Sequence, residues 1–159
     1  MNGKIDMTSM KLAFPKQPKR KKGQKAKSAL QKKKDNSGSK YWKNKAMKQW
    51  GAVMHHRFRY CLVNNEDCSG NLEAHHLISR AKVMTRNNID NGVMLCSNHH
   101  KWSPLLSPHM APVQFTEFLR ENYPHKIEWV MKHRNDTGKP NYETDYEYLC
   151  ELIELDKYE

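Results

Sequence analysis

The forty positions from Cys61 to His100 carry three cysteines and four histidines: Cys61, Cys68, His75, His76, Cys96, His99 and His100. That density limits the folds open to the chain. Thiols and imidazoles packed this closely are either metal ligands or buried groups that each need a partner. The N-terminus has no apolar segment of signal-peptide type, so metal ligation is expected rather than disulfide bonding. At 159 residues the chain has room for one small domain and its appendages. A small domain with a modest core gains much from a metal staple.

Charge divides the chain. The net charge is +11, yet residues 1–48 hold 16 Lys and Arg against two acids, and residues 49–159 hold 12 against 15. The excess is therefore an N-terminal arm. Residues 1–39 are Lys-rich, with Gly, Ser, Pro and Gln, and have no regular apolar period, which predicts disorder. Lys19, Arg20, Lys21 and Lys22 lie in its densest run and point to a polyanion such as nucleic acid. The bland reading of the arm is a solubilising tail. No apolar run approaches the roughly 18 residues that span a bilayer, so no membrane partner is expected.

Periodicity places the elements. Trp42, Ala46, Trp50, Val53 and Met54 share one helical face, predicting a flanking helix over 40–57. Leu72 to Ile78 is a short strand candidate. Residues 79–90 are polar and basic, a loop with room for one helical turn. Asn91-Gly92 is a turn signal, followed by a second strand from Gly92 to Leu95 and a helix from His99 that Pro104 limits. Phe115, Phe118 and Leu119 mark a short helix, and Ile127, Val130 and Met131 another that opens at Pro124. Thr144 and Glu147 have capping-box spacing ahead of a last helix through Leu149, Leu152 and Ile153. Residues 141–159 carry seven acids and one Lys, and Cys150 reads as a small core residue.

Two constellations share the central segment. Cys61, Cys68, Cys96 and His99 offer the three thiols and one imidazole of a structural zinc site, with Cys96 and His99 at zinc-knuckle spacing. The alternative is buried free thiols. The second set is His75, His76, Asn91 and His100. Consecutive strand residues point to opposite faces, so His75 and His76 are expected to divide, one on a metal and one beside it. His55 and His56 form another pair but lack accompanying cysteines or acids, and the bland reading is preferred for them.

The phrases LEAHHLISR and NGVMLCSNHH resemble those of phage-encoded HNH endonucleases with a cysteine/histidine zinc cluster. The order and spacing of His75-His76, Asn91 and His100 are similar to the HNH superfamily's ββα-metal motif, including that of the colicin DNases. The resemblance covers about residues 58–120 and implies an α+β fold. Its centre would be a small ββα-metal (HNH, His-Me finger) core with a zinc staple, flanked by helices and a disordered basic arm. The expected division is an arm over 1–39, a helix over 40–57, the nuclease core over 58–122, and C-terminal helices with an acidic end over 123–159.

The resemblance also implies roles. His76 would be the general base, and a neutral imidazole near pH 7 suits that work. His75 and His100 would hold one divalent cation (Mg, Mn, Ni or Zn), beside a separate structural zinc. Asn91 would orient the loop that carries His76. A further ligand one helical turn after the last histidine is absent, because Pro104 stands there; His109 is the nearest substitute. His99 replaces the more common cysteine of the zinc cluster, and His99 and His100 can exchange assignments on sequence grounds. Arg80, Lys82 and Arg86 would contact phosphates flanking the cut.

The expected function is a metal-dependent DNA endonuclease that nicks or cleaves duplex DNA, leaving a 5′ phosphate and a 3′ hydroxyl. The expected compartment is the cytoplasm, a host's if the gene is a phage's. Two other readings compete: a non-catalytic zinc module that binds nucleic acid, and a nuclease directed to branched recombination intermediates. Recognition sequence, physiological metal and oligomeric state are not legible.

Overall fold

The computed structural model describes residues 29–156, with side chains from Ser39 onward. The arm residues Lys19, Arg20, Lys21 and Lys22 lie outside the described residues. The chain runs α1 (Ala29–Arg57), β1 (Leu72–His76), a 3-10 turn (Ile89–Asn91), β2 (Gly92–Cys96), a π turn (Asn98–Trp102), α2 (Pro112–Asn122), α3 (Pro124–His133) and α4 (Tyr142–Leu155). This is a small α+β arrangement built on a two-stranded antiparallel sheet. Among the described residues no helix is long and apolar enough to cross a membrane.

Strand alternation sets the layers. β1 and β2 pair with Ala74 opposite Met94, His75 opposite Val93 and His76 opposite Gly92. Met94 turns to one side, where it is buried with Trp50, Val53 and Met54 of α1 and Leu149 and Leu152 of α4. Val93 and Leu95 turn to the other, against Phe115 and Leu119 of α2. β2 is buried along its whole length. The sheet is therefore a thin filling between two helical layers, and each face of β1 looks into a different one.

Two helix boundaries differ from the sequence expectation. α1 begins at Ala29, not near residue 40, so the stretch from Ala29 to Ser39 expected to be disordered is helical. Its Ala-Leu-Gln-Lys-Lys-Lys opening is built of good helix formers, which outweigh the later Gly38. The α4 cap is Asn141, whose side-chain oxygen accepts from Thr144 N at 3.3 Å, and not the Thr144 of the capping-box pattern. α1 and α4 lie side by side in the same direction, with Trp42 against Tyr146 and Arg57 bonded to Asp156.

Asn91-Gly92 does not make a two-residue hairpin. Gly92 is extended, at φ −104. Its need for glycine is one of space: a Cβ there would lie 2.5 Å from Met54 Sδ and 2.9 Å from Trp50 Cζ2. The strands are joined instead by the loop 77–88, which Asn91 ties down from beneath.

Candidate functional site

The loop after α1 delivers two thiols to the end of β2. Leu62 N donates to Met94 O at 2.8 Å, so the chain beside Cys61 runs along β2. Cys68 N donates to Asn65 O, and Asn98 N reaches Ser69 O, which docks this loop onto the π turn. Gly70, at φ +80, passes so close to Ser97 that a Cβ would stand 2.7 Å from that side chain. The result gathers Cys61, Cys68, Cys96 and His99 with their ligand atoms within 4.8 Å of one another. The three sulfurs stand 3.6, 3.5 and 3.2 Å from His99 Nδ1. A zinc tetrahedron with ordinary bond lengths has S···N edges of about 3.5 Å. The donor set and its spacing fit zinc.

Burial pushes Cys68 up to about 11. Burial also opposes ionisation of Cys96, but the backbone N–H groups of His99 and Ser69, together with the neighbouring Cys61 and Cys68 thiols, outweigh it and hold that thiol below its ordinary value. Burial lowers His99, keeping the imidazole neutral and available as a ligand.

The π turn separates its two histidines. His99 is buried among the thiols, while His100 turns to the sheet face that carries His75. His75 Nδ1 lies 3.1 Å from His100 Nε2, and His109 Nε2 lies 3.3 Å from the same atom. Three imidazoles around one divalent cation at about 2.1 Å have N···N edges of roughly 3.0–3.4 Å. The group can hold a metal ion. Ser107 positions the third member: fully buried, it donates to His100 O at 2.8 Å and accepts from His109 N at 3.1 Å.

Glu73 is the residue that sequence reasoning missed. It accepts from His100 Nδ1 at 2.7 Å, Lys101 Nζ at 2.7 Å and Ser97 Oγ at 3.1 Å. Lys101, with His100, lowers its carboxyl to about 2. An ionised carboxylate cannot donate, so the His100 proton is on Nδ1 and the Nε2 lone pair faces His75 and His109. The signal was strand alternation: Glu73 and His75 are two apart and share a face. Burial, helped by its histidine neighbours, lowers His75 to about 3, which leaves it neutral.

The other face of β1 is different in kind. His76 stacks on Trp50 of α1, with centroids 3.9 Å apart and planes 22° apart. Its Nε2 donates to Arg86 O at 2.9 Å, leaving Nδ1 with the free lone pair. Burial lowers its pKa from the ordinary histidine value. Asn91 is fully buried and spans the loop mouth. It accepts from Ile78 N at 2.6 Å and donates to Ile78 O and Thr85 O at 3.0 Å each. Through these bonds it fixes both ends of the segment that places Arg86 against His76.

Of the three loop cations, Arg80 and Lys82 are exposed. Arg86 is buried, with Nε on Arg80 O and Nη1 3.1 Å from Tyr142 Oη. His55 is exposed and His56 lies 3.7 Å from Asp156; neither joins a cysteine or histidine group.

No protein-family model, curated protein or solved structure matches the chain.

Proposed function

We propose that the chain is a metal-dependent endonuclease of HNH type that hydrolyses DNA phosphodiester bonds. The observation that carries the reading is the division of the His75-His76 pair. One imidazole joins His100 and His109 in a three-nitrogen group, and its neighbour stands alone across the strand with one nitrogen bonded. A binding module can use His76 as packing against Trp50, but gives its unbonded Nδ1 no role.

His75, His100 and His109 would hold the divalent cation, with Glu73 fixing the His100 ring. Bound there, the ion supplies charge neutralisation at the scissile phosphate and the leaving oxygen. His76 is the general base. Its Nε2–H is committed to the Arg86 carbonyl, so Nδ1 takes the proton of the attacking water. Trp50 and Arg86 O hold the ring against rotation, and a lowered pKa keeps it neutral below the ordinary range. Asn91 positions the loop and does not touch substrate. The cysteine cluster would hold zinc as a staple and take no part in the chemistry.

The test is supercoiled-plasmid nicking by wild type and His76→Ala with Mg, Mn or EDTA. Nicked circles from wild type alone, lost with EDTA, are the expected result. A wild type that leaves plasmid, linear duplex and branched junctions intact with every metal removes the reading. A salt-sensitive gel shift by both proteins would then favour a non-catalytic zinc module.

A further inference from the structure

Among the described residues, the buried guanidinium of Arg86 has only neutral hydrogen-bond partners. Its bonds go to a carbonyl and a phenol, and it forms no ion pair with any carboxylate among the described residues. Only 7% of Arg86 is exposed. A buried cation without a counter-charge is costly, and such groups are normally paired. Arg86 lines an open cleft of about 460 Å³ between α1 and the loop after β1, together with Lys43, Asn44, Met47, Ser79 and Arg80. Among the described residues, three cations and two neutral hydrogen-bonding side chains line the space, and no acid does.

The cleft is built into the His76 side of the molecule. Arg86 supplies the carbonyl that holds His76. α1 supplies both Trp50, stacked on His76, and Lys43, seven residues earlier on the helix, which is roughly 10 Å along its axis. An anion in the cleft would therefore sit beside the His76 face and not at the three-histidine group. Met47 gives one apolar side, suited to a sugar edge, and the guanidinium is held in a fixed orientation.

We propose that this cleft grips one backbone phosphodiester of a nucleic-acid strand, next to the bond presented to His76. α1 is then one wall of the substrate channel as well as a support for the core. The inference rests on the nuclease reading for the word substrate, but its readout is binding and needs no cleavage.

Replacing Arg86 risks the fold, because Tyr142 and the loop depend on it. Lys43→Gln with Arg80→Gln removes two exposed charges and keeps the Arg80 carbonyl. Binding of a short DNA duplex to the zinc-loaded full chain would be measured against salt concentration for wild type and this double variant. The expected result is a log–log salt slope shallower by about 1 to 2 in the double variant. Single methylphosphonate substitutions along the duplex should weaken wild-type binding strongly at one position, and that penalty should vanish in the double variant.

An unchanged slope with no privileged phosphate overturns the proposal, and it does so even if the wild type nicks plasmid. Loss of nicking with the slope and scan as expected overturns only the nuclease reading. Stabilisation of wild type by millimolar inorganic phosphate, with no methylphosphonate effect, would make the cleft a site for a free anion and overturn the nucleic-acid assignment.

Discussion

Glu73 holds His100 by a 2.7 Å bond to Nδ1, and so decides which nitrogen of His100 faces His75 and His109. Carboxylates behind metal-bound imidazoles set tautomer and ring angle, and their loss costs metal affinity. Glu73→Gln should weaken divalent-ion binding at the three-histidine group by about 10- to 100-fold. Titration of Mn or Ni into protein already loaded with zinc at the cysteines measures it. Equal affinities for wild type and variant would show that the π turn and the Ser107 bond to the His100 carbonyl orient the ring without the carboxylate.

The cysteine cluster joins three stretches of chain, at Cys61, Cys68 and Cys96 with His99, around the end of β2. Its thiols should hold one zinc per chain. Stripping that zinc with a strong chelator should lower the thermal midpoint and loosen the 61–70 loop. Cys96→Ser should bind less than one zinc and melt early. Cys150, half-buried on α4 away from the cluster, provides the contrast: Cys150→Ser should keep its zinc and its midpoint. Zinc content by elemental analysis and melting by circular dichroism decide between these.

Gly92 lets α1 lie against β2. A methyl group added there meets the buried Met54 thioether and the Trp50 ring that braces His76. Gly92→Ala should destabilise the fold by about 1–3 kcal/mol, the usual range for overpacking. Urea unfolding gives the size of the loss. Tryptophan fluorescence should shift as Trp50 gives way, and a variant with wild-type stability would mean that Met54 moves aside freely.

Arg57 and Asp156 close one end of the α1–α4 pair. The Arg57 guanidinium lowers the Asp156 carboxyl below its ordinary value. The folded state therefore binds this proton less readily than the unfolded chain. The stabilisation is full above the unfolded pKa, near 3.9, and disappears as pH falls through the lower folded value. Asp156→Asn should be the less stable protein at pH 6, and the gap should narrow as pH drops below about 4. Thermal melts across pH 2.5–7 test this, and a gap independent of pH would remove the pair from the account.

Much of this was legible because the sequence sorts by period. Trp50, Val53 and Met54 lie buried where the 3.6-residue pattern put them, and the split of His75 from His76 follows from the two-residue repeat of a strand. The sequence set His99 with the cysteines and His100 with His75, as the structure does, but left the two open to exchange, since the choice depends on a π turn that no local pattern announces. His109 reaches His100 only because Ser107 turns the chain through a buried hydroxyl. Glu73 was legible in principle but overshadowed by the histidines beside it. The burial of Arg86 depends on Tyr142, 56 residues away, and nothing nearby in the chain encodes that.

The strand pairing that sets Ala74 opposite Met94 has one more consequence. A slip of β1 by one position toward its N-terminus would bring His76 to the metal group, Ala74 to His100 and Leu77 against Trp50. The opposite slip would bring His75 to Trp50 and Ala74 to the metal group. Each error keeps one imidazole in a usable place and forfeits the other, and both leave His100 without its carboxylate. The doubled histidine gives the molecule no tolerance to misregistration. Correct alignment is distinguished by having Glu73 on His100, His75 in the three-histidine group and His76 on Trp50 together, and only one pairing of the strands does that.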